Sequence, residues 1–196
     1  MSNQQSPPPT EIPAALAGKS VVLVGLMGAG KTCIGQRLAR KLDMEFVDAD
    51  AEIEAAADRT VSEIFAEFGE QAFRDGERRV IARLLSEKPR VIATGGGAFM
   101  DDETRANARH HGISVWLKAD LDVLVQRVSR RNNRPLLQGG DKRRKLEELM
   151  TRRYPTYSEA DITVDTGNEP PESTVQKVYD ALSGFDPAAG SSAAAE

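Results

Sequence analysis

The sequence predicts an α/β fold with a parallel sheet, and three consecutive segments near its start carry that prediction. Residues 21–24 are β-branched and aliphatic, as in a buried strand, and residues 33–42 then carry apolar side chains at helical spacing. Residues 44–50 are predicted to form a second short strand. Strand, helix and strand in this order form a βαβ unit, whose two strands run parallel in one sheet.

A glycine-rich loop lies between the first strand and its helix. The segment Gly25-Leu26-Met27-Gly28-Ala29-Gly30-Lys31-Thr32 fits G-x-x-x-x-G-K-[ST] at every fixed position. Backbone N–H groups of such a loop wrap phosphates, and the N-terminus of the following helix adds a favourable dipole. Lys31 is expected to reach the β- and γ-phosphates and Thr32 to ligate Mg²⁺. The alternative is a chance glycine turn, which the flanking strand and helix disfavour.

The residue after the loop, Cys33, is interpreted as a small helix side chain rather than a catalytic thiol. It follows the loop directly. The predicted nucleotide-binding residues of this segment are Gly28, Ala29, Gly30, Lys31, Thr32 and Cys33.

Length, charge and cysteine content narrow the class of protein. The 196 residues suit one domain, placed at residues 19–183, with a disordered leader at 1–18 and a disordered tail at 184–196. A net charge of -4 argues against a nucleic-acid partner, and no apolar run predicts a membrane span. The single cysteine excludes an internal disulfide and a cysteine-based metal cluster, so we expect a reducing cytoplasm.

Two acids, Asp48 and Asp50, end the second predicted strand. Ligands of parallel sheets bind outside the carboxyl ends of the strands, which places both carboxylates beside the phosphate loop. Paired carboxylates there can serve Mg²⁺ and a substrate hydroxyl. The alternative is that either acid only caps the helix predicted at residues 51–57.

An arginine and a run of glycines are the next candidates along the chain. Arg74 and Glu77 are three residues apart on one face of a predicted helix, so Glu77 could hold Arg74 for an anionic ligand. Residues 91–94 are predicted to be a buried strand, which Gly95-Gly96-Gly97 ends. These glycines are either a flexible turn or a place where a ligand approaches the backbone closely.

Helices and strands alternate through the rest of the chain. The further predicted helices span residues 60–69, 71–86, 101–111, 122–129, 141–153 and 172–182, and the further predicted strands span residues 113–117 and 161–166. The basic segment at 130–141 contains proline and a glycine pair, which is typical of a mobile lid over phosphates or of a solvated basic loop. His110 and His111 are adjacent and point apart, which favours an exposed helix end over a metal site.

Six motifs, taken in order, resemble the shikimate kinase family. They are the loop at 25–32, Asp48-Ala49-Asp50, Phe73-Arg74-Asp75-Gly76-Glu77, Thr94-Gly95-Gly96-Gly97, Arg134-Pro135-Leu136-Leu137 and Arg153-Tyr154-Pro155-Thr156-Tyr157. The phosphate loop alone is common to many kinases, whereas the ordered set is specific to this family. The resemblance implies a P-loop kinase fold of the nucleoside monophosphate kinase type, with a five-stranded parallel sheet flanked by helices and a mobile lid. It also implies transfer of the γ-phosphoryl of ATP to the 3-hydroxyl of shikimate, in the pathway to aromatic amino acids.

For the acid substrate, the resemblance implies a set of side chains around the glycines. Asp50 would bind shikimate hydroxyls and act in catalysis, while Arg74 and Arg153 would grip the carboxylate. The ring hydroxyls would meet the residues Gly95, Gly96 and Gly97. The residues alone independently predict an acid, an arginine and close-approach glycines in this region.

For the nucleotide, the resemblance implies that Lys31 and the lid residue Arg134 are catalytic and that Thr32 and Asp48 handle Mg²⁺. Three further nucleotide contacts are implied. Arg134 would contact the nucleotide from the lid, and Arg127 would lie against the adenine with Pro171 opposite. Thr32 stands where a serine is often found, which is harmless because both hydroxyls ligate Mg²⁺. The segment Glu169-Pro170-Pro171 departs from the more basic adenine loops of some relatives.

Two other functions fit part of these observations. Another small-metabolite kinase of the same fold, such as a gluconate kinase, would not need the pair Arg74 and Arg153. A nucleotide-dependent switch or binding module would use the phosphate loop and hydrolyse little. Shikimate kinase activity predicts ATP and shikimate as partners, and we expect a monomer with no nucleic-acid or membrane partner.

Overall fold

The computed structural model describes residues 12–130 and 141–187. The strands are β1 Ser20–Val24, β2 Glu45–Asp48, β3 Arg90–Ala93, β4 Gly112–Lys118 and β5 Ile162–Asp165. The α-helices are α1 Lys31–Leu42, α2 Ala49–Ala57, α3 Val61–Ser86, α4 Asp102–His111, α5 Leu121–Ser129, α6 Lys142–Tyr157 and α7 Pro171–Ser183. Short 3-10 helices cover Ala14–Leu16 and Ala98–Met100.

The five strands form one parallel sheet in the order β2-β3-β1-β4-β5. β1 is central, with Val22 opposite Ile92 of β3 on one side and Ser114 of β4 on the other. After β1 the chain crosses through α1 to the edge strand β2 and returns through α2 and α3 to β3, beside β1. The predicted five-stranded parallel sheet is confirmed. Because the strands are parallel, the segments that follow β1, β2 and β3 meet at one edge of the sheet.

The core surrounds the central strands. β1 and β3 are buried along their whole length, as expected for a sheet covered on both faces. Helix α1 buries Ile34, Leu38 and Leu42, the residues whose spacing predicts it. A second, smaller cluster of Ile53, Ile64 and Phe73 joins α2 to α3. These two helices therefore form an arm with its own apolar contacts beside the main core.

The second strand is shorter than predicted, and this changes the position of one candidate residue. β2 ends at Asp48, and α2 begins at the next residue. The Asp48 carboxylate accepts a hydrogen bond from the Asp50 backbone N–H at 3.1 Å, so Asp48 caps the helix. Asp50 consequently lies in the first turn of α2 and not on the strand.

The two helices predicted at residues 60–69 and 71–86 are one element, α3, interrupted at Gly69. Thr60 and Glu63 form a capping box at its start, which fixes where the helix begins. Gly69 has φ 82° and ψ 173°, a conformation that is essentially restricted to glycine. The predicted glycine stop is therefore a local break, after which the helix resumes in the same stretch of chain.

Helix α6 continues beyond the predicted end at residue 153. Proline removes one helical hydrogen bond, yet α6 passes through Pro155 and ends at Tyr157. Tyr157 is fully buried and belongs to the core, which offsets the missing hydrogen bond. The extension matters for function because it keeps Arg153 and Tyr157 on one face, four residues apart.

The folded body begins earlier than the predicted boundary at residue 19. Within the predicted leader, Ala14–Leu16 form a 3-10 helix and Leu16 is buried in the core. Phe185, in the predicted tail, also packs against the core. Residues 1–11, 131–140 and 188–196 lie outside the described residues, as does most of the predicted lid. Within the described ranges, no helix combines the length and apolar character needed to cross a membrane.

Candidate active site

The phosphate loop joins β1 to α1 and is shaped by its own backbone. Gly30, the residue before α1, has φ 101°, in the left-handed region that favours glycine. The Lys31 side chain turns back over the loop, and its Nζ donates to the carbonyl oxygens of Gly25 at 2.7 Å and Leu26 at 3.1 Å. The ammonium group thus lies across the loop in front of the first turn of α1.

Thr32 and Asp48 lie side by side where β1 and β2 lead into their helices. The Thr32 hydroxyl donates to Asp48 Oδ2 at 2.9 Å, while Asp48 Oδ1 caps α2. Both predicted roles of Asp48 are therefore compatible, because its two oxygens have different partners. A hydroxyl and a carboxylate fit Mg²⁺, which takes one or two protein oxygens and completes its octahedron with phosphates and water. Among the described residues, no group of three or more histidine, cysteine or acidic side chains could hold a metal ion.

Arg127 of α5 connects the phosphate loop to the segment after β5. Its guanidinium donates to the carbonyl oxygens of Gly28 at 3.2 Å and Ala29 at 3.1 Å. It also donates to the Thr166 hydroxyl at 3.3 Å and to the Gly167 carbonyl. A cavity of about 260 Å³ continues from Thr166 and Gly167 along the ends of β4 and β5.

The other two residues predicted at the nucleotide end lie at the starts of helices. Pro171 is the first residue of α7 and is half-buried. Cys33 lies in the first turn of α1, where its sulfur accepts a hydrogen bond from Arg37 at 3.1 Å. Arg37 also pairs with Glu172 at 3.0 Å, so it links the start of α1 to the start of α7.

Two acids lie against Gly95, the first glycine after β3. A Cβ added to Gly95 would come within 2.6 Å of Glu77 Oε1 and 2.7 Å of Asp50 Oδ1. Only hydrogen at this position lets the two carboxylates approach the backbone so closely. The structure therefore brings residues from α2, α3 and the turn after β3 to one place.

Two arginines lie against the other two glycines. A Cβ on Gly97 would come within 2.5 Å of Arg74 Nη1, and one on Gly96 within 3.1 Å of Arg153 Nη1. Arg153 Nη1 also donates to the Gly96 carbonyl at 2.8 Å. Two guanidinium groups against one short turn have the chemistry to bind an anion that accepts paired hydrogen bonds.

The pair of Arg74 and Glu77 has the geometry expected from its spacing. Arg74 Nη1 donates to Glu77 Oε2 at 2.6 Å, and the Glu77 side chain is only 3% exposed. Glu77 Oε1 accepts no hydrogen bond from the described residues. Burial raises the pKa of the Glu77 carboxyl, against the opposing effect of Arg74.

The glycine turn after β3 lies directly against the phosphate loop. A Cβ on Gly96 would be 3.6 Å from the carbonyl oxygen of Gly25 and 3.8 Å from the backbone nitrogen of Met27. The Thr94 hydroxyl also donates to the Leu23 carbonyl at 2.9 Å, which ties β3 to the end of β1. A group bound at the glycines would therefore be next to a phosphate bound in the loop.

Comparison with known proteins decides the family. A sequence model described as "Shikimate kinase" matches residues 27–183. This chain belongs to the shikimate kinase family. A relative named shikimate kinase from Caulobacter vibrioides is 57% identical over 169 residues, which cover 86% of this chain and 84% of the relative. One from Bradyrhizobium diazoefficiens is 52% identical over 178 residues, covering 91% of this chain and 86% of the relative.

Solved structures place the fold in the same family. The structure described as shikimate kinase from Acinetobacter baumannii in complex with shikimate has a TM-score of 0.81 and 39% identity, covering 86% of this chain and 95% of that chain. The shikimate kinase from Aquifex aeolicus has a TM-score of 0.71 and 31% identity, covering 84% and 96%. A gluconokinase from Sinorhizobium meliloti, with a TM-score of 0.53 and 19% identity, shares the fold alone.

One predicted site residue lies outside the described residues, and one side chain at the site has no predicted role. The first is Arg134, on the lid predicted at 130–141, of which residues 131–140 are not described. Tyr157 belongs to the motif that starts at Arg153, and its hydroxyl donates to the Gly96 carbonyl. The i, i+4 spacing from Arg153 is the sequence signal that could have indicated it, because such pairs share one helical face.

Proposed function

We infer that this chain catalyses the ATP-dependent phosphorylation of shikimate, which gives shikimate 3-phosphate and ADP. Membership of the shikimate kinase family supports the reaction. One structural observation carries it to the residues, namely that Arg74 and Arg153 converge on a glycine turn that touches the phosphate loop. A carboxylate held by the two arginines would leave the ring beside the nucleotide, as the transfer requires.

The roles of the substrate side chains follow from their charges and positions. We propose that Arg74 and Arg153 bind the shikimate carboxylate with paired hydrogen bonds and that Gly95 to Gly97 admit the ring close to the backbone. Asp50, beside Gly95, would accept the proton of the 3-hydroxyl as the oxygen attacks the γ-phosphorus and the bond to ADP breaks. Glu77 would hold Arg74 in position.

For the phosphates, we propose that Lys31 leaves the loop carbonyls to meet the β- and γ-phosphates, where it offsets developing negative charge. Thr32 and Asp48 would hold Mg²⁺, since their oxygens are adjacent and suit that ion. When bound, the ion would neutralise charge on the transferring phosphoryl group.

At the adenine end, Arg127 and Pro171 stay predicted contacts. The position of Arg127 between the phosphate loop and Gly167 supports its assignment. Arg134 is proposed to act from the lid over the γ-phosphate, on its sequence motif alone. A monomer, a cytoplasmic location and the lack of nucleic-acid or membrane partners also stay predictions.

A coupled assay of ADP release tests the function directly. The purified protein is given ATP and Mg²⁺ with shikimate, gluconate or a nucleoside monophosphate in parallel. We expect ADP release only with shikimate, and a product whose phosphorus NMR signal couples to the proton at ring carbon 3. ADP release with gluconate would overturn the proposal in favour of another small-metabolite kinase. If no ADP release depended on shikimate, the proposal would be overturned in favour of a binding module.

A further inference from the structure

The carbonyl oxygen of Gly96 accepts two hydrogen bonds from the same helix. One comes from Arg153 Nη1 at 2.8 Å and the other from the hydroxyl of Tyr157. A carbonyl oxygen has two lone pairs, and both are used here. The turn after β3 is therefore attached to α6 at a single atom by two side chains.

This attachment fixes the direction of a backbone group on the other side of the turn. The peptide between Gly96 and Gly97 is trans and planar, so its C=O and N–H point in opposite directions. A peptide between two glycines can flip easily, because neither residue has a Cβ to restrict it. Two donors on the Gly96 oxygen oppose that flip, and they thereby direct the Gly97 N–H away from α6.

Tyr157 is held firmly enough to act in this way. Its side chain is fully buried, and its ring packs edge-on against Trp116 with the ring centroids 6.0 Å apart. Burial raises the pKa of the Tyr157 phenol, so the hydroxyl keeps its proton at neutral pH and donates it to the carbonyl. The position of the hydroxyl is set by packing in the core.

We propose that Tyr157 is a positioning residue for the acid substrate, which acts through the Gly96 carbonyl. By holding this oxygen, it keeps both the Gly96-Gly97 peptide and the anchored guanidinium of Arg153 in the geometry that receives the substrate. The proposal rests on the proposed function, since it concerns the same site. Tyr157 contacts the glycine turn and acts on the substrate only through it.

The test is Tyr157→Phe, which removes the hydroxyl and keeps the ring. We expect the KM for shikimate to rise about five- to tenfold, in keeping with one lost buried hydrogen bond, while the KM for ATP stays within about twofold. The kcat at saturating shikimate should fall less than about threefold, because bound substrate restores the turn. A merely structural role would not separate the two KM values.

Tyr154→Phe is the matched control on the same helix. The Tyr154 hydroxyl donates to the Ala119 carbonyl at 2.6 Å, and its ring lies 4.8 Å from Trp116, so the variant loses the same group from the same aromatic cluster. We expect both KM values of this variant to stay at the wild-type level. An equal rise in the shikimate KM of both variants, or no rise in Tyr157→Phe, would overturn the proposal.

A nitrogen-15 NMR measurement keeps the test independent of activity. Tyr157→Phe should shift the Gly97 amide resonance and speed its hydrogen exchange, whereas Tyr154→Phe should leave both unchanged. An unchanged Gly97 amide in Tyr157→Phe would overturn the proposal even if the KM rose. If the wild-type protein lacked shikimate-dependent activity, the proposed function would fail, and the NMR comparison would still decide whether Tyr157 holds the peptide.

Discussion

The phosphate loop and the glycine turn after β3 are neighbours in the sheet, and both are rich in glycine, yet they are built differently. Most of the bonds that shape the phosphate loop are local, with Gly30 in a left-handed conformation and Lys31 bonded to Gly25 and Leu26, and Arg127 of α5 adds two bonds to loop carbonyls. Side chains of other helices hold the glycine turn, through the Gly96 carbonyl above all. A local motif can therefore specify most of the first site, whereas the second exists only once α3 and α6 are in place.

The two sites also differ in how far their polar side chains are exposed to water. Thr32 is exposed beside the phosphate loop, where water can take part in ion binding. At the glycine turn, Arg153 is 5% exposed and the Glu77 side chain is 3% exposed. A buried charge is costly when its partner is lost, so we expect changes at the glycine turn to affect substrate binding strongly. Changes at the phosphate end should act mainly on the rate of transfer.

The largest effect is expected at the phosphate end. Lys31→Ala should lower kcat about 1,000-fold, because the ammonium group is proposed to meet charge that develops in the transition state. The measurement is ADP release at saturating ATP and shikimate, with the melting temperature as a check on folding. Lys41→Ala, a lysine at the other end of α1, is the control and should keep wild-type kcat. A kcat within tenfold of wild type for Lys31→Ala would contradict the assigned role.

The next effect is expected at the glycine turn, and it should appear in the KM for shikimate rather than in kcat. Arg153→Lys should raise the KM for shikimate about 10- to 100-fold, because lysine keeps the charge but loses the planar fork that meets a carboxylate. The KM for ATP should stay within about twofold. Arg152→Lys makes the same change at the exposed neighbour and should alter neither constant. Equal losses for both substrates of Arg153→Lys would mean that the arginine supports the fold instead.

A smaller effect tests whether the glycine turn depends on close approach. Gly97 has φ -98°, which alanine also adopts, so Gly97→Ala should act only through its Cβ, 2.5 Å from Arg74 Nη1. Displacement of that guanidinium should raise the KM for shikimate about five- to tenfold.

Gly76→Ala is the matched control for this substitution, since its Cβ would meet nothing within 4 Å. It should leave the KM unchanged and raise the free energy of unfolding by about 0.5–1 kcal/mol, the usual gain from alanine in a helix. A similar KM change in both variants would show that any alanine in this region disturbs the site.

The smallest expected effect is on stability as a function of pH. The pKa of Glu77 is raised in the folded protein by burial, so the fold holds this proton more tightly than the unfolded chain does. The protonated Glu77 carboxyl therefore stabilises the fold below the ordinary carboxyl pKa. This stabilisation is lost as the pH rises through the raised pKa of Glu77. Urea unfolding between pH 4 and 8 should show this loss in wild type and not in Glu77→Gln, with a difference on the order of 1 kcal/mol.

An acid with the opposite shift provides the control for this pH dependence. Hydrogen bonds from Thr60 lower the pKa of Glu63, so the stabilisation that Glu63 provides is lost as the pH falls. Glu63→Gln should therefore change the dependence of stability on pH only at low pH. Glu77→Gln could instead show the same loss of stability as wild type at pH values above the ordinary carboxyl pKa. The Glu77 carboxyl would then not be the group whose titration causes the loss.

The phosphate loop, the parallel sheet and the pairing of Arg74 with Glu77 could be predicted because each depends on nearby residues or on a period. The position of Asp50 could not, since a strand that ends in Asp48-Ala49-Asp50 looks the same whether or not the first acid caps a helix. The contact of Tyr157 with the glycine turn could not be predicted for a different reason. Its hydrogen bond to Gly96 spans 61 residues, and it forms once α6 packs beside Trp116 of β4 and the short 3-10 helix Ala98–Met100.

The aromatic packing behind the glycine turn has a spectroscopic consequence. Trp116 is the only tryptophan in the sequence, it is 4% exposed, and it contacts the rings of both Tyr154 and Tyr157. Excitation energy absorbed by these tyrosines passes efficiently to an indole at such distances, and a buried indole emits at short wavelength. The protein thus contains one indole fluorophore, in ring contact with Tyr157 behind the glycine turn, whose emission reports on the packing of α6 without any added label.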